Sequence, residues 1–377
     1  MKKSYLILLS ILSTMCLASC GDVINEVYEN KYVVIWQNYN GDILEIDRDL
    51  KEGTFPTYDS NIPTRKGDEN YNYQFIGWTP EIVPVNENVQ YTATFKKVSA
   101  SDYLIDDKPT FNSDNTSLKY GYYPQTHVSD ENLIKILNTL ESSSINGWYL
   151  YNKKYYAKEV AKTFNNTVYY FDDETEIISG NTYWFEVESI EWKILSNDNK
   201  ECYILSNKLL DTHAFYKDYE ERNNIYPNNY EYSDIRNYLN NDFYNYAFIF
   251  NTMNIKESSI DNSSKTTDAD NNKYVCANTV DKVFLPSYKD YLNVDYGFEN
   301  NQEGLSLTRE ASLTDYARIK NAWCNVENNK YTSSYWTRSP SSKFSYSAIN
   351  VNSKGYLSDY AVDGKNHCLR PSIFITL

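Results

Sequence analysis

Hydrophobic positions are concentrated at the start of the chain and alternate with polar positions further along. After Lys2 and Lys3, residues 5–17 form an apolar run of thirteen positions. A membrane-spanning helix needs about 20 apolar residues, so this run is too short to be a permanent transmembrane anchor. A short basic start followed by such a run is typical of a signal peptide. No second long apolar run occurs in the sequence.

Small residues and a cysteine follow this run directly, as LASCG over residues 17–21. This order resembles the lipobox of bacterial lipoproteins, in which the chain is cut before the cysteine and its thiolate takes the lipid. The resemblance implies a signal peptide over 1–19, a lipid on Cys20 and a polar tether over 20–30. Membrane lipid is then one partner, and the folded part lies outside the cytoplasm, exposed at the cell envelope. An ordinary cleaved signal or a buried helix is the alternative.

Residues 31–97 have the pattern of a small β-rich module. Apolar runs near 33–35 and 43–46 flank Asn40-Gly41, which is a strong signal for a two-residue hairpin turn. Alternation over 91–95 predicts a closing strand. A module of about 65 residues is marginally stable by itself.

The same module resembles the Listeria–Bacteroides repeat family, also called the internalin B-repeat type. The resemblance lies in five segments, in order: VIW at 34–36, NGD at 40–42, GT at 53–54, FIGW at 75–78 and YTATF at 91–95. It implies a β-grasp-like fold and a spacer role beside adhesive domains of bacterial surface proteins. Trp36 and Trp78 are interpreted as core residues of so small a fold, with ligand contact as the alternative.

Residues 102–377 have the mixed periodicity of one large α+β domain. A helix with apolar residues at 133, 134, 137 and 140 is predicted behind an N-cap at Ser129. Further helices are predicted behind Ser233 and over 312–323. The polar segment 258–273 is predicted to be a mobile surface loop. Alternation predicts strands or hairpins at 148–156, 183–195, 202–206, 283–285, 335–338, 346–351, 356–362 and 369–377.

This C-terminal region resembles an uncharacterised bacterial domain family over residues 118–377. The shared landmarks are YGYYPQ at 120–125, IEWKIL at 190–195, SDIRNYLN at 233–240, FLPS at 284–287, TDYA at 314–317, YWTRSP at 335–340 and LRP at 369–371. The resemblance implies a domain without an established biochemical function. The last two landmarks are similar to elements of C-type-lectin-like folds, including the formylglycine-generating enzyme group, which implies a fold of that type.

Charge and composition limit the classes of partner that this chain is expected to bind. The chain has 377 residues, a formal net charge of −15 and a pI near 4.8. Nucleic-acid binding is disfavoured, because neutralising phosphates takes clustered Lys and Arg. The 38 tyrosines suit a recognition surface, but a genome rich in Asn, Lys, Ile and Tyr is the simpler explanation.

The sequence offers few residues for metal binding or thiol chemistry. Three scattered histidines make a histidine-built metal site improbable, and the acidic segment 261–270 lacks the ligand order of a calcium loop. No metal or cofactor is therefore predicted. Four cysteines beyond the lipobox allow two disulfides in three connectivities and lie in no CxxC spacing: Cys202, Cys276, Cys324 and Cys368.

No catalytic residue is assigned from the sequence. It contains no GxSxG elbow, no glycine-rich phosphate loop and no HExxH motif. The close cysteine pair of formylglycine-generating enzymes is also missing. A carboxylate pair for glycoside hydrolysis remains open, because such pairs are defined by distance in space.

Trp336, Arg338 and Arg370 are the candidate binding residues. One interpretation places Trp336 beneath a sugar face and the arginines on carboxylates, which their planar guanidinium groups bind in bidentate fashion. The other interpretation makes Trp336 a core residue and the arginines internal braces for backbone carbonyls or an acid.

Together these patterns predict a cell-surface lipoprotein that binds or adheres to an extracellular glycan or protein without catalysis. An extracellular enzyme acting on glycans or related envelope substrates is one alternative. A purely structural envelope protein is the other.

Overall fold

The computed structural model of the protein describes residues 31–60, 63–65, 71–99, 107–140, 146–218, 220–221 and 225–377. Cys20, with the predicted signal peptide and tether, lies outside the described residues. Among the described residues, no helix has the length and apolar character needed to cross a membrane. The described chain divides into two compact units, the first within 1–60 and 77–94 and the second within 61–76 and 95–377.

A four-stranded sheet is built from residues 31–99. Its strands are β1 (Lys31–Gln37), β2 (Ile43–Lys51), β3 (Tyr71–Thr79) and β4 (Val89–Ser99), in the order β2-β1-β4-β3. β1 pairs antiparallel with β2 and parallel with β4. The predicted hairpin is present, but its connection runs over residues 38–42 and not over two residues. The backbone N–H of Asn38 closes it on Asp42 at 2.7 Å.

Aromatic packing forms the core beside this sheet. Trp36 is fully buried, and its ring centroid lies 4.8 Å from those of Trp78 and Tyr91. Its indole N–H donates to Asp47 at 2.8 Å. Trp36 and half-buried Trp78 therefore lie in the core of the module.

Residues 107–377, the C-terminal domain, are dominated by strands. They are β5 (Thr110–Phe111), β6 (Ser117–His127), β7 (Tyr149–Tyr151), β8 (Lys154–Val160), β9 (Tyr169–Tyr170), β10 (Glu176–Ile177), β11 (Thr182–Asn197), β12 (Glu201–Ser206), β13 (Asp211–Thr212), β14 (Ile255–Lys256), β15 (Ser258–Ile260), β16 (Thr279–Asp281), β17 (Val283–Phe284), β18 (Asn325–Glu327), β19 (Lys330–Thr332), β20 (Tyr335–Pro340), β21 (Ser347–Val351), β22 (Leu357–Ala361), β23 (Cys368–Leu369) and β24 (Ser372–Thr376).

The helices of this domain are short. They are α1 (Glu131–Leu137), α2 (Asp234–Tyr238), α3 (Tyr244–Ala247) and α4 (Asp315–Arg318), with a π-helical turn over Leu239–Phe243 between α2 and α3. Single 3₁₀ turns occur at Phe164–Asn166, Ser264–Thr266, Asp290–Leu292 and Val294–Tyr296. The domain is thus β-rich, and its helical share is smaller than the predicted α+β class suggests.

Two larger sheets organise the strands. The nine-stranded sheet runs β14-β24-β12-β11-β6-β5, with β17 on β24, β8 on β11 and β7 on β8. The five-stranded sheet runs β13-β23-β20-β21-β22. The predicted single strand over 369–377 is divided between them, because β23 ends at Leu369 and β24 begins at Ser372. Pro371 separates them and has no N–H to give to a ladder.

Local signals placed several elements correctly. Asn152 and Lys153 adopt positive φ angles of 46° and 65° in the turn between β7 and β8. The Ser233 hydroxyl caps α2, as predicted. The apolar face of α1 packs against Trp184 and Tyr156. Its N-cap is Asp130 and not Ser129, because the Asp130 carboxylate accepts from the backbone N–H groups of residues 132 and 133.

Two predicted segments differ from the structure. The helix expected over 312–323 is only the four residues of α4, because Leu313 and its neighbour bond to other strands: the Leu313 N–H donates to the Tyr331 carbonyl at 3.2 Å. The loop expected over 258–273 begins with β15, which pairs with β16. It also buries Asn262, Thr267 and Asn272, so it forms part of the domain's packed structure.

Candidate functional site

Three cavities lie side by side on the C-terminal domain. The aromatic cavity, of about 580 Å³, is lined by segments 344–347 and 359–366. The central cavity, of about 660 Å³, shares Lys365 with it. The outer cavity, of about 560 Å³, shares Asp234 and Asn237 with the central one. The shared wall residues make the three cavities neighbours on one surface, and together they are called the groove.

The walls of the central cavity come from distant parts of the sequence: Glu159 on β8, Thr212 on β13, Tyr238 on α2 and Lys320 just after α4. Backbone hydrogen bonds hold two of these parts together. The Lys162 N–H donates to the Ile319 carbonyl at 2.8 Å, and the Asn321 N–H donates to the Lys162 carbonyl at 2.7 Å. The strand end after β8 and the chain after α4 therefore form one wall.

Helix caps set the other wall residues in place. The Ser233 hydroxyl accepts from the Arg236 N–H at 3.2 Å and starts α2, which carries Asn237 into the groove. The Thr314 hydroxyl accepts from the Ala317 N–H at 3.1 Å and starts α4. Such caps satisfy backbone donors that have no partner inside the helix.

An ion pair lies in the wall of the central cavity. Lys320 Nζ is 2.8 Å from Glu159 Oε2, and the Tyr316 hydroxyl donates to the same oxygen at 3.1 Å. Burial raises the pKa of Glu159, but the bond and charge of Lys320 outweigh it and lower the net pKa. Burial lowers the pKa of Lys320, and the charge of Asp211 with the bond to Glu159 reverses this and raises it. Both groups therefore stay charged near neutral pH.

A buried carboxylate lies behind this wall. Asp211 accepts from the hydroxyls of Tyr123 at 2.5 Å and Tyr238 at 3.0 Å. Burial, followed by the charge of Asp211, raises the pKa of both tyrosines far above the ordinary value. These hydroxyls thus stay protonated, and Tyr238 faces the cavity as a fixed hydrogen-bonding group.

Charges of both signs line the groove. Seven carboxylates and six cationic side chains line it: Glu159, Glu231, Asp234, Asp242, Glu257, Asp359 and Asp363, with Lys162, Lys217, Arg236, Lys282, Lys320 and Lys365. The groove is therefore almost neutral, although the whole chain has a net charge of −15. It offers many hydrogen-bond donors and acceptors without a dominant charge.

Exposed aromatic rings mark the end of the groove at the aromatic cavity. Phe344 and Tyr346, on the connection between β20 and β21, are each 44% exposed. Their ring centroids are 5.4 Å apart and their planes differ by only 25°. Tyr360 on β22 is 47% exposed. These three residues are called the aromatic platform.

The connection that carries the platform is held by a buried amide. Asn228 is fully buried, and its Nδ2 donates to the carbonyls of Phe344 and Ser347 at 3.0 Å each. Its backbone N–H donates to the Ser345 carbonyl at 3.1 Å, and the Val362 N–H donates to the Tyr346 carbonyl at 3.0 Å. The backbone that carries Phe344 and Tyr346 is therefore held in place, which reduces the ordering cost of binding.

Trp336, the first predicted site residue, is fully buried between two cavities. Its indole N–H donates to the carbonyl of His213, a wall residue of the central cavity, at 2.9 Å. Its ring stacks on His367 at 4.4 Å, and His367 lies 4.4 Å from Tyr360 of the platform. Trp336 thus supports the groove from beneath.

The two predicted arginines are also buried. Arg338 donates to the Leu285 carbonyl and the Asp290 carboxylate, at 3.0 Å each. Arg370 donates to the carbonyl of Ser206 on β12 at 3.0 Å and to the Tyr335 hydroxyl on β20 at 2.9 Å. These contacts match the interpretation of both as internal braces, and Arg370 connects the nine- and five-stranded sheets.

The four cysteines of the C-terminal domain are free thiols. Cys202, Cys324 and Cys368 are buried, and Cys276 is half-buried. Burial raises the pKa of Cys324 to about 12, which makes a nucleophilic thiolate costly there. Among the residues that the structure describes, no group of three or more His, Cys, Asp or Glu side chains could hold a metal ion.

Sequence reasoning did not find the groove. Glu159 and Lys320 are 161 positions apart, and neither stands in a motif. The two tyrosines on Asp211 stand in the YGYYPQ and SDIRNYLN segments, but nothing in the sequence connects them with Asp211 or with each other. A further signal was the pair of aromatics at 344 and 346, just before and at the start of the strand predicted over 346–351.

Removing the lysine of the ion pair tests the electrostatics of the central cavity. In Lys320→Met, burial of Glu159 is no longer opposed by the ion pair, so the Glu159 pKa is expected to rise above its wild-type value. Carbon-detected NMR titration of the glutamate carboxyls measures this. Lys330→Met, which breaks the exposed pair with Glu310, is the control and should leave Glu159 unchanged. An unaltered Glu159 pKa in Lys320→Met would show that the pair does not hold the carboxylate.

Comparison with known proteins identifies one domain in the chain. The family described as a domain of unknown function (DUF6273) matches residues 199–377. The prediction of an uncharacterised bacterial domain at the C-terminus is therefore confirmed for these residues. No curated protein and no solved structure matches the chain significantly.

Proposed function

We propose that this chain is a non-catalytic cell-surface lipoprotein whose C-terminal domain binds an extracellular polysaccharide along the groove. The observation that carries the proposal is that three cavities adjoin in a row, with Lys365, Asp234 and Asn237 in the walls between them. A polymer contacts its receptor over several successive units, so it requires an extended site of this kind. Ligand sites are usually concave, with a few placed polar groups that fix orientation.

The lining of the groove favours a sugar polymer. Each hydroxyl of a sugar both donates and accepts a hydrogen bond, so it is matched by a lining that contains lysines, carboxylates and amides. A polycation would require an excess of carboxylates and a polyanion an excess of lysines. The nearly equal numbers of the two kinds of charge fit neither.

The charge states in the central cavity support binding without catalysis. A general acid or base works best with a pKa near the operating pH. The pKa of Glu159 is lowered, and those of Lys320 and Tyr238 are raised. All three shifts move the groups away from proton transfer at neutral pH.

The proposed lipoprotein also has a lipid anchor and a spacer. Lipid on Cys20 would hold the chain to the membrane, and the sheet of residues 31–99 would act as the spacer. A β-grasp-like fold for this sheet is supported by its order β2-β1-β4-β3 with a parallel central pair. A C-type-lectin-like relationship of the C-terminal domain is supported by the YWTRSP and LRP segments, whose arginines brace the domain from inside.

Affinity electrophoresis of the full chain in mild detergent tests the function. The gels contain laminarin, mannan, galactan or polygalacturonate, and wild type is expected to be retarded by at least one of them. Asn237→Trp places a large side chain at the junction of the central and outer cavities, so its dissociation constant should rise roughly tenfold. Asn132→Trp, an exposed asparagine on α1, is the matched control and should bind like wild type.

Two results would contradict the proposal. One is equal retardation of Asn237→Trp and wild type, which would place binding outside the groove. The other is the release of shortened sugar chains during incubation, which would make the protein an enzyme.

A further inference from the structure

We infer that the aromatic platform stacks against the flat face of a neutral hexopyranose unit of the bound polymer. This inference rests on the proposed function and assigns a role to one end of the groove. It names the ligand class as a polysaccharide of uncharged hexoses, and it names Phe344 and Tyr346 as the residues that contact the sugar ring.

Exposure of the platform is the first observation. Phe344 and Tyr346 leave 44% of their surface in water, and Tyr360 leaves 47%. Three large aromatic side chains that share one cavity form a patch that water solvates poorly, and such patches mark interaction sites. A ligand that covers them regains the free energy of removing apolar surface from water.

The geometry of the rings selects the shape of the ligand. The planes of Phe344 and Tyr346 differ by 25°, so the two rings present nearly parallel surfaces. A pyranose ring has C–H groups over its flat faces and hydroxyls at its edge. Its faces can therefore cover aromatic surface while its hydroxyls stay bonded to water or protein.

Polar groups around the platform fit those edge hydroxyls. The carboxylate of Asp363, the amide of Asn366 and the ammonium of Lys365 line the same cavity. The carboxylate accepts hydrogen bonds, the amide both donates and accepts them, and the ammonium donates them. Asp359 is already paired with Lys343, at 3.3 Å.

Charge argues for an uncharged sugar. The aromatic cavity contains Asp359, Asp363 and Lys365, and Lys343 pairs with Asp359, so the charges beside the platform balance. The whole chain adds a field of net charge −15, which repels polyanions and lowers their local concentration. Uronate or sulfated units are therefore disfavoured at the platform.

Rigidity of the platform argues for a binding role. Asn228 bonds the carbonyls on both sides of the connection, at positions 344 and 347. A loose pair of aromatic rings on a surface turn would collapse onto the protein. Here the backbone bonds hold the connection in place, and the two rings stack on each other while each stays 44% exposed.

Alanine variants of the platform test the inference in the same gels. Phe344→Ala and Tyr346→Ala are each expected to weaken binding to laminarin, mannan or galactan by roughly tenfold or more. Tyr170→Ala is the matched control, because Tyr170 on β9 is also 44% exposed and lies outside the groove. It should change the dissociation constant by about twofold or less. Near-UV circular dichroism checks that each variant is folded.

Saturation-transfer difference NMR gives a second readout. Irradiation of the aromatic protons should transfer most strongly to ring C–H protons on one face of the hexose, and this pattern should vanish in Tyr346→Ala. A structural defect alone would weaken all transfer evenly.

The outcomes separate the inference from the function it rests on. If Asn237→Trp loses binding while both platform variants bind like wild type, the inference is wrong and the groove function stands. Stronger retardation of wild type by polygalacturonate than by the neutral polymers also overturns it. If no polymer retards wild type, the proposed function and this inference both fail.

Discussion

Replacement of Arg309 by lysine is expected to lower the free energy of unfolding of the C-terminal domain by about 3–5 kcal/mol. Arg309 is fully buried. Its guanidinium donates to five backbone carbonyls, those of Gly355, Tyr291, Glu299, Asn301 and Gly304, at 2.6–3.3 Å. Its planar group thereby ties together chain segments that have no strand pairing with one another in this region.

Lysine keeps the charge but cannot keep these bonds. Its single nitrogen has three donors that radiate from one point, whereas arginine spreads five donors over a planar fork. At least two of the five carbonyls would therefore lose their partner, and each one that water cannot reach costs about 1–3 kcal/mol.

Urea unfolding followed by tryptophan fluorescence measures this effect. Arg48→Lys is the chemical control, because Arg48 is exposed on β2, and its curve should overlay that of wild type. A midpoint for Arg309→Lys equal to wild type would mean that a lysine satisfies the same carbonyls.

Acid is expected to destabilise the C-terminal domain through His367. Burial lowers the pKa of His367 to about 3, against an ordinary value of 6.5. Its Nε2 faces the side-chain amide of Asn350 at 3.0 Å, and that amide's oxygen accepts from Ser358. The Asn350 nitrogen therefore donates to Nε2, and a proton added at Nε2 would meet another donor.

The sign of the effect follows from proton binding in the two states. Between pH 6.5 and about 3 the unfolded chain protonates this histidine and the folded domain does not. The stability that His367 contributes is therefore fully present above pH 6.5 and is lost as the pH falls toward 3. Since one pKa unit corresponds to about 1.4 kcal/mol, the full shift amounts to about 4–5 kcal/mol.

A comparison of wild type with His367→Gln isolates this contribution from other titrating groups. The difference in unfolding free energy between the two proteins should change by several kcal/mol, in favour of the variant, as the pH falls from 7 to 4. Lys354→Gln removes a charge that does not titrate in this range, and its difference from wild type should stay constant. A His367→Gln curve parallel to wild type would contradict the low pKa.

The family match begins inside the folded C-terminal domain and not at its first residue. The DUF6273 match begins at residue 199, in the turn between β11 and β12. Yet β12 pairs with β11, and β11 pairs with β6 and β8. The matched residues therefore depend on strands before them to complete the nine-stranded sheet, and the variants above belong in the full chain.

Local features could be predicted because their causes are local. The turn at Asn152-Lys153, the strands on either side of residues 197–199 and the Ser233 cap depend on the φ and ψ preferences and hydrogen bonds of a few neighbouring residues. Where two local solutions competed, the choice was less certain: Ser129 and Asp130 both can cap a helix, and only the structure shows which one does.

The sequence did not predict that the motif residues are buried. Trp336, Arg338 and Arg370 stood out in the sequence, but their residue types suit ligand contact and internal bracing equally well. The distinction lies in whether water reaches them, and that depends on elements up to 164 positions away, as in the bond from Arg370 to the Ser206 carbonyl.

By itself the sequence determined many strand and turn positions, the family match over residues 199–377 and the overall negative charge. Only the tertiary structure decided the groove, because its walls combine Glu159, Tyr238 and Lys320 from separate elements. The helix expected over 312–323 is shorter for the same reason, because two of its residues form backbone hydrogen bonds with distant segments instead. Periodicity and caps record interactions over a few residues, whereas a cavity, its charge balance and its pKa shifts arise from long-range packing that leaves no local pattern.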